Sequence, residues 1–281
     1  MTLKPLLFLT NLKDRIVSRL LTKKPQLTFP LPAKKKFAPW LINTKRVEIE
    51  LTTRCSLACL NCDAQVRQAP SNNDMSLNQI EKFVKESIAL GWRWKEISLI
   101  GGEPTLHPRF FDVLKIIKKY KTAHPECSIC LETNGYGSKV NEVLSKLPDW
   151  ITVFNTKKQS NVNNFSSINI AAIDVKKYKD EDFSKGCWIA QTCGLGLTRY
   201  GYYPCRAGSS VDRVFGFNVG IKKLSMVNPE KLRDKLGLLC RYCGHYKCNF
   251  NIPYTTEEKM SPSWINACKN YKKQKPKLNL Y

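Results

Sequence analysis

The sequence has no run of 18 or more uncharged apolar residues, which excludes a membrane-spanning helix, and its N-terminus lacks the small-residue cleavage site of a secretory signal. A cytoplasmic protein is therefore expected. Acids are scarce: 23 Asp and Glu stand against 46 Lys and Arg, a formal charge of +23. That imbalance favours anionic partners such as nucleic acid, phosphorylated substrates or an acidic membrane surface, but it names no reaction. No internal repeat is present beyond βα units. No segment reads as an appended peptide-leader recognition domain, which turns the expectation toward a small molecule or sugar rather than a ribosomal peptide. What the chain does have is 281 residues with 42% hydrophobic content, enough for a packed core, and twelve cysteines. In a reducing compartment that many thiols argue for metal binding over a disulfide framework.

The chain divides by texture. Residues 1–46 carry eleven Lys or Arg and the single acid Asp14, with Leu6, Leu9, Leu12, Ile16 and Leu20 near helical spacing. They read as a basic amphipathic helix followed by a Pro-punctuated linker. Its apolar face is expected to pack on the domain, with peripheral membrane or partner contact as the alternative. Residues 47–184 show a βα rhythm: strands over 47–51, 96–100, 127–133 and 150–155, helices over 76–90, 109–120 and 138–147, then an apolar run 168–175. Alternating strands and helices predict a parallel sheet with right-handed crossovers, open or barrel-like. Residues 185–268 turn to Cys, Gly, Tyr and Arg with little periodicity, and 269–281 form a Lys-rich tail without acids, expected to be solvated and disordered.

The sharpest motif is Cys55-x3-Cys59-x2-Cys62, placed directly after the first predicted strand. Three thiolates on one short loop can bind three irons of a [4Fe–4S] cube and leave the fourth open to an outside ligand. A tetrahedral zinc site would want a fourth protein ligand within the loop, and none is there. Gly101-Gly102-Glu103-Pro104 ends the second strand and Glu132-Thr133-Asn134-Gly135 the third. All three motifs therefore fall at carboxyl ends of strands, where parallel α/β folds place ligands.

In this combination and order the chain resembles the radical S-adenosylmethionine (SAM) superfamily. The resemblance implies a partial (β/α) barrel in which Cys55, Cys59 and Cys62 hold a [4Fe–4S] cluster that chelates SAM and cleaves it to a 5′-deoxyadenosyl radical. It implies further that Gly101 and Gly102 let the backbone approach the methionyl group, that Glu103 faces its ammonium, and that Asn134 lies near the ribose or carboxylate. The external electron donor is expected to be of flavodoxin or ferredoxin type. Asn61 departs from the aromatic residue often found before the third cysteine in this family. Only 52 residues separate Asn134 from Cys187, too few for three more full βα units, so the later strands are expected to be abbreviated.

Cys187-x5-Cys193-x11-Cys205 and Cys240-x2-Cys243 resemble the auxiliary-cluster extensions called SPASM and twitch domains. One auxiliary [4Fe–4S] cluster on Cys205, Cys240, Cys243 and either Cys187 or Cys193 is expected, with two clusters as the alternative. Cys248 and Cys268 are then spare. The implied function is a radical SAM oxidoreductase or maturase whose auxiliary cluster assists oxidation or positions substrate. The competing class is a Cys-rich zinc protein that binds nucleic acid, suggested by the charge and by Cys240-x2-Cys243-x-His245 with Cys248, but it leaves the two strand-end motifs unexplained. Cys127 and Cys130 lie within a predicted strand, where residues three apart point to opposite faces, and are read as core. His107, His124, Trp92 and Trp94 are read as ordinary polar and packing residues.

Overall fold

The computed structural model describes residues 39–162, 165, 167–246 and 259–281. The expected amphipathic helix of residues 1–46 falls almost entirely outside them, as does Cys248. The chain runs β1 (Arg46–Thr52), α1 (Leu77–Ala89), β2 (Glu96–Gly101), α2 (Phe110–Ala123), β3 (Ser128–Thr133), α3 (Ser138–Leu144) and β4 (Thr152–Asn155). It continues through α4 (Trp188–Thr192), β5 (Leu195–Thr198), β6 (Gly201–Tyr203), α5 (Arg206–Phe215), α6 (Pro229–Leu239) and α7 (Pro262–Lys273).

These strands form a six-stranded sheet in the order β4-β3-β2-β1-β5-β6, parallel except for β6. Strand β1 explains its own orientation. Val47, Ile49 and Leu51 are fully buried against α1 and α2, where they meet Ile80, Phe83 and Val113. The alternate residues Arg46, Glu48 and Glu50 therefore face the concave side, because successive side chains of a strand point to opposite faces. Helix α1 starts where Ser76 and Gln79 cap one another reciprocally, an arrangement worth about 1 kcal/mol.

The expected abbreviation after β4 is present. No further helix and strand follow it on that edge among the described residues; the chain crosses to the other side and pairs β5 with β1, Val47 opposite Leu195. The change of texture at Lys185 is thus not a structural boundary, since the Cys-rich segment supplies two strands of the same sheet. The apolar run 168–175 is not a strand either. It forms turns and a short 3₁₀ segment, Ala172–Asp174, because β5 already occupies the place beside β1. Ile168 and Ala171 are buried against Cys187, Cys205 and Cys243 instead. The tail corrects the sequence reading more sharply: α7 buries Trp264, Cys268 and Tyr271, and the Tyr281 ring packs edge-on against Tyr202 with Lys82 over its face. Aromatic anchors among the lysines hold a segment whose charge alone predicts disorder.

Candidate functional site

At the carboxyl ends of β1, β2 and β3 the concave face opens into a cavity of about 530 Å³. Cys55, Cys59 and Cys62 line it together with Gly101, Gly102 and Asn134. The cysteine loop leaves β1 and is braced from outside the sheet. Cys55 Sγ accepts from the Leu57 N–H at 3.4 Å and from Asn134 Nδ2 at 3.5 Å, and Cys59 Sγ accepts from the Val162 N–H at 3.3 Å. The Leu60 N–H donates to Val162 O at 3.0 Å and the Ala58 N–H to Asn161 Oδ1 at 2.6 Å, so the chain that follows β4 steadies the loop instead of adding another strand. Asn61 sits at φ +51°, a left-handed conformation that Asn tolerates better than most side chains. Burial pushes the Cys55 thiol up to about 11, and that of Cys62 upward as well; metal coordination reverses this by favouring the thiolate.

The glycines serve the loop directly. A Cβ at Gly101 would lie 2.4 Å from Thr52 O, and one at Gly102 2.4 Å from Arg54 O and 3.0 Å from the Cys55 Cβ. Their absence of side chain lets β2 end against the residues that launch the cysteine loop. Glu103 is not on the cavity wall. It is fully buried, and its carboxylate accepts from the Thr105 and Thr133 hydroxyls at 2.7 and 2.9 Å and from the Asn134 N–H at 2.8 Å. Its carboxylate thus braces the ends of β2 and β3.

The other wall of the cavity is polar: Glu48, Asp63, Glu132, Lys158, Arg206 and His245, of which the sequence reading names only Glu132, within its strand-end motif, and His245, as part of a zinc-like spacing. Burial raises the Glu48 carboxyl to about 7, against the pull of Arg206. Burial and Glu48 together push the Cys193 thiol up to about 12, and that thiol donates to the Glu48 carboxylate. Arg206 Nη1 and Glu50 Oε2 stand 3.8 Å apart, both buried and neither with a hydrogen-bond partner among the described residues. Asp63 accepts from or pairs with His245 Nε2 at 2.8 Å. Two signals could have found this wall: charges at every second position of Arg46-Val47-Glu48-Ile49-Glu50, and the polar residues that directly follow Cys62 and Cys205.

Cys187, Cys205, Cys240 and Cys243, all buried, line a second, tighter cavity with Leu236 and Leu239. Burial raises the thiols of Cys240 and Cys243, and the charges of Cys187 and Cys205 raise them further. Ile189, Ala207 and His245 line both cavities, so the second lies directly behind the wall of the first. Cys193 does not join the four; it faces the first cavity beside Glu48. Among the described residues no three Cys, His, Asp or Glu are drawn together onto the position of a single metal ion. Both thiol sets instead border open space. A donor set made of thiols suits soft metals and iron–sulfur clusters. Cys127 and Cys130 are buried apart from both sets and belong to the core, with Cys268 packed beneath α5. No described helix is long and apolar enough to cross a membrane.

Residues 49–156 match the Radical SAM superfamily. A GTP 3′,8-cyclase of Clostridium perfringens strain 13 is 37% identical over 102 residues, 34% of this chain and 30% of the relative. A probable GTP 3′,8-cyclase of Pyrococcus horikoshii is 28% identical over 137 residues, 47% of this chain and 42% of the relative. The chain thus matches less than half the length of these relatives. Among solved structures, BtrN in complex with AdoMet and 2-DOIA is similar at a TM-score of 0.46 and 15% identity, covering 77% of this chain and 97% of that one. SuiB of Streptococcus suis bound to the precursor peptide SuiA gives a TM-score of 0.31 at 16% identity, over 52% of this chain and 36% of that one. The three-cysteine loop and the strand-end motifs all lie inside the matched span, so residues 49–156 of this chain carry a domain of the Radical SAM superfamily type, the kind found in these enzymes.

Proposed function

We propose that this enzyme abstracts hydrogen from a small polar substrate held in the 530 Å³ cavity and carries the reaction on to a net oxidation, with an auxiliary cluster behind the cavity wall. Cys55, Cys59 and Cys62 would hold a [4Fe–4S] cluster, which with SAM and an electron from a flavodoxin- or ferredoxin-type donor would supply the 5′-deoxyadenosyl radical. Gly101, Gly102 and Asn134 would border the SAM. Cys187, Cys205, Cys240 and Cys243 would hold one auxiliary [4Fe–4S] cluster of the twitch kind. The observation that carries the reading is the shared wall: Ile189, Ala207 and His245 separate the four-thiol set from the cavity of the three-thiol set by a single layer of side chains.

The remaining roles belong to the polar wall. Arg206 lines the cavity as a cation next to Glu48 and Asp63, suited to orienting a substrate hydroxyl or carboxylate. Glu48, with its carboxyl near 7, can accept the proton that an alcohol or amine loses as it is oxidised. Three carboxylates, Glu48, Asp63 and Glu132, share this wall with Arg206 and Lys158. That balance suits a sugar, polyol or amine better than a triphosphate, whose charges need several cations. The similarity to cyclases named for GTP is therefore taken to reach the radical chemistry and not the substrate.

Anaerobic reconstitution with iron and sulfide analysis tests the reading. About eight irons per chain are expected, four for each cubane. Dithionite and SAM should yield 5′-deoxyadenosine, at a rate that GTP does not raise. Zinc without sulfide at the four-thiol site would replace the auxiliary cluster by a zinc module, and four irons alone would leave oxidation without its acceptor.

A further inference from the structure

The peptide that follows Cys62 is gripped by a buried cation from the other thiol region. Arg213, on α5, is 3% exposed. Its Nη2 donates to Ala64 O at 2.7 Å and more weakly to Gln65 O at 3.5 Å. Its Nη1 donates to Ala69 O at 2.8 Å and to the Tyr271 hydroxyl at 3.1 Å, with the Ser71 hydroxyl at 3.4 Å. None of these hydrogen-bond partners is a carboxylate, although the buried Glu50 carboxylate lies near enough for its charge and that of Arg213 to attract. Burying a cation is costly, and it is sustained here by that charge and by several carbonyls converging on one planar fork, a geometry that a lysine ammonium does not reproduce.

The grip reaches the cluster loop in two steps. The Gln65 N–H donates to Cys62 O at 2.8 Å, and Gln65 O in turn accepts from the Ala69 N–H at 3.0 Å, so the carbonyls that Arg213 holds belong to the turn that fixes Cys62. The same helix begins at the other site. Cys205 is its N-cap, with Sγ accepting from the Gly208 N–H at 3.4 Å, and Arg206 at its first position lines the cavity. We infer that Arg213 is a positioning residue for the three-cysteine site: it fixes the turn after Cys62, through the carbonyls of Ala64, Gln65 and Ala69, to the helix that starts at Cys205. The inference rests on the reading that Cys55, Cys59 and Cys62 hold the SAM-binding cluster. It makes the placement of Cys62 depend on a residue that does not line the cavity.

The test uses the full-length reconstituted protein with Arg213→Lys and Arg213→Met. Three quantities are read: the change that SAM induces in the electron paramagnetic resonance spectrum of the reduced protein, SAM affinity by equilibrium binding, and amide hydrogen exchange of residues 62–69. Expected is a lost or altered SAM-induced spectral change, about tenfold weaker SAM binding and faster exchange at Gln65 and Ala69, with the iron of the four-thiol site retained. Substrate-free 5′-deoxyadenosine formation should fall about a hundredfold, the scale of loss for a misplacement of about 1 Å. Lys should restore folding but not the spectrum, because it lacks the fork. A wild-type spectral response and affinity in both variants would overturn the inference. If neither accumulates folded, Tyr271→Phe decides, since it removes only one partner of the guanidinium; a response identical to wild type then overturns it. Failure of the wild-type protein to give any SAM-dependent signal would defeat the cluster reading itself, a result distinct from either.

Discussion

The two thiol sites are assembled in opposite ways. Cys55, Cys59 and Cys62 come from eight consecutive residues, open onto a large cavity, and are steadied by N–H···S contacts from Leu57, Asn134 and Val162. Cys187, Cys205, Cys240 and Cys243 arrive from three separate segments and are all buried. A local, open set can exchange an outside ligand without disturbing the fold. A non-local, buried set exists only once β5, α5 and α6 are in place, so whatever binds there also ties those elements together. One set of thiols is open to an outside ligand and the other is closed over by the fold.

The largest expected effect tests the first half of that contrast. The triple variant Cys55→Ala/Cys59→Ala/Cys62→Ala should form no 5′-deoxyadenosine with dithionite and SAM, yet keep its circular dichroism spectrum and the iron of the second site. Wild-type turnover by that variant would show that the open set is not where SAM is cleaved.

The second expectation tests the closed set. Cys240→Ala/Cys243→Ala and Cys187→Ala should each lose about four irons per chain while substrate-free SAM cleavage survives. Their thermal midpoints should fall by several degrees, because the ligand set links three segments. Cys193→Ala should keep its full iron content. Iron loss in Cys193→Ala with retention in Cys187→Ala would exchange the two residues.

That pair also shows where the sequence stops being legible. Strands β1 to β4 and their helices follow from hydrophobic period alone, and the cysteine loop from its spacing, because both are local. The fourth auxiliary thiol is not local. Cys187 and Cys193 are the two caps of the five-residue helix α4, and one turn and a half of helix carries them into different cavities. Nothing in a spacing of five and eleven residues says which end faces inward. Glu103 is a similar case: its motif position implies a ligand contact, while the Thr105 and Thr133 hydroxyls that enclose it come from packing that no motif announces. The polar wall was hidden in plain alternation, since the run of β1 is read for its apolar residues and the charged ones between them pass unnoticed.

Glu103 gives the third expectation. Glu103→Gln keeps the shape but turns an amide N–H₂ toward groups that donate: Thr105, Thr133 and the Asn134 N–H. A loss of roughly 3 to 5 kcal/mol in unfolding free energy is expected from breaking this buried network, measured by urea denaturation. SAM affinity of the folded fraction should change less than stability does. Unchanged stability with tenfold weaker SAM binding would return Glu103 to the ligand and make the open site less dependent on bracing than the comparison holds.

The smallest effect concerns Glu48, on the polar wall of the open cavity. Burial holds its carboxyl near 7, above the value of about 4.5 for the exposed group, so between those two pH values the folded state keeps a proton that the unfolded state has released. Stability from this residue is accordingly full below pH 4.5 and declines as pH rises toward 7, the reverse of a salt-bridged carboxylate. At pH 8 the ionised group sits in the wall with Arg206 offsetting part of the cost of burial. Glu48→Gln removes the titration and keeps a polar group beside Cys193. The difference in unfolding free energy between pH 5 and pH 8 should therefore be smaller in Glu48→Gln than in wild type by about 2 to 3 kcal/mol, with the variant gaining relative to wild type at the alkaline end. Urea midpoints of the reconstituted proteins across that range measure it. Equal pH slopes in the two proteins would mean that Glu48 is ionised throughout, which removes the proton acceptor from the cavity and leaves oxidation to a base carried by the substrate or by Asp63.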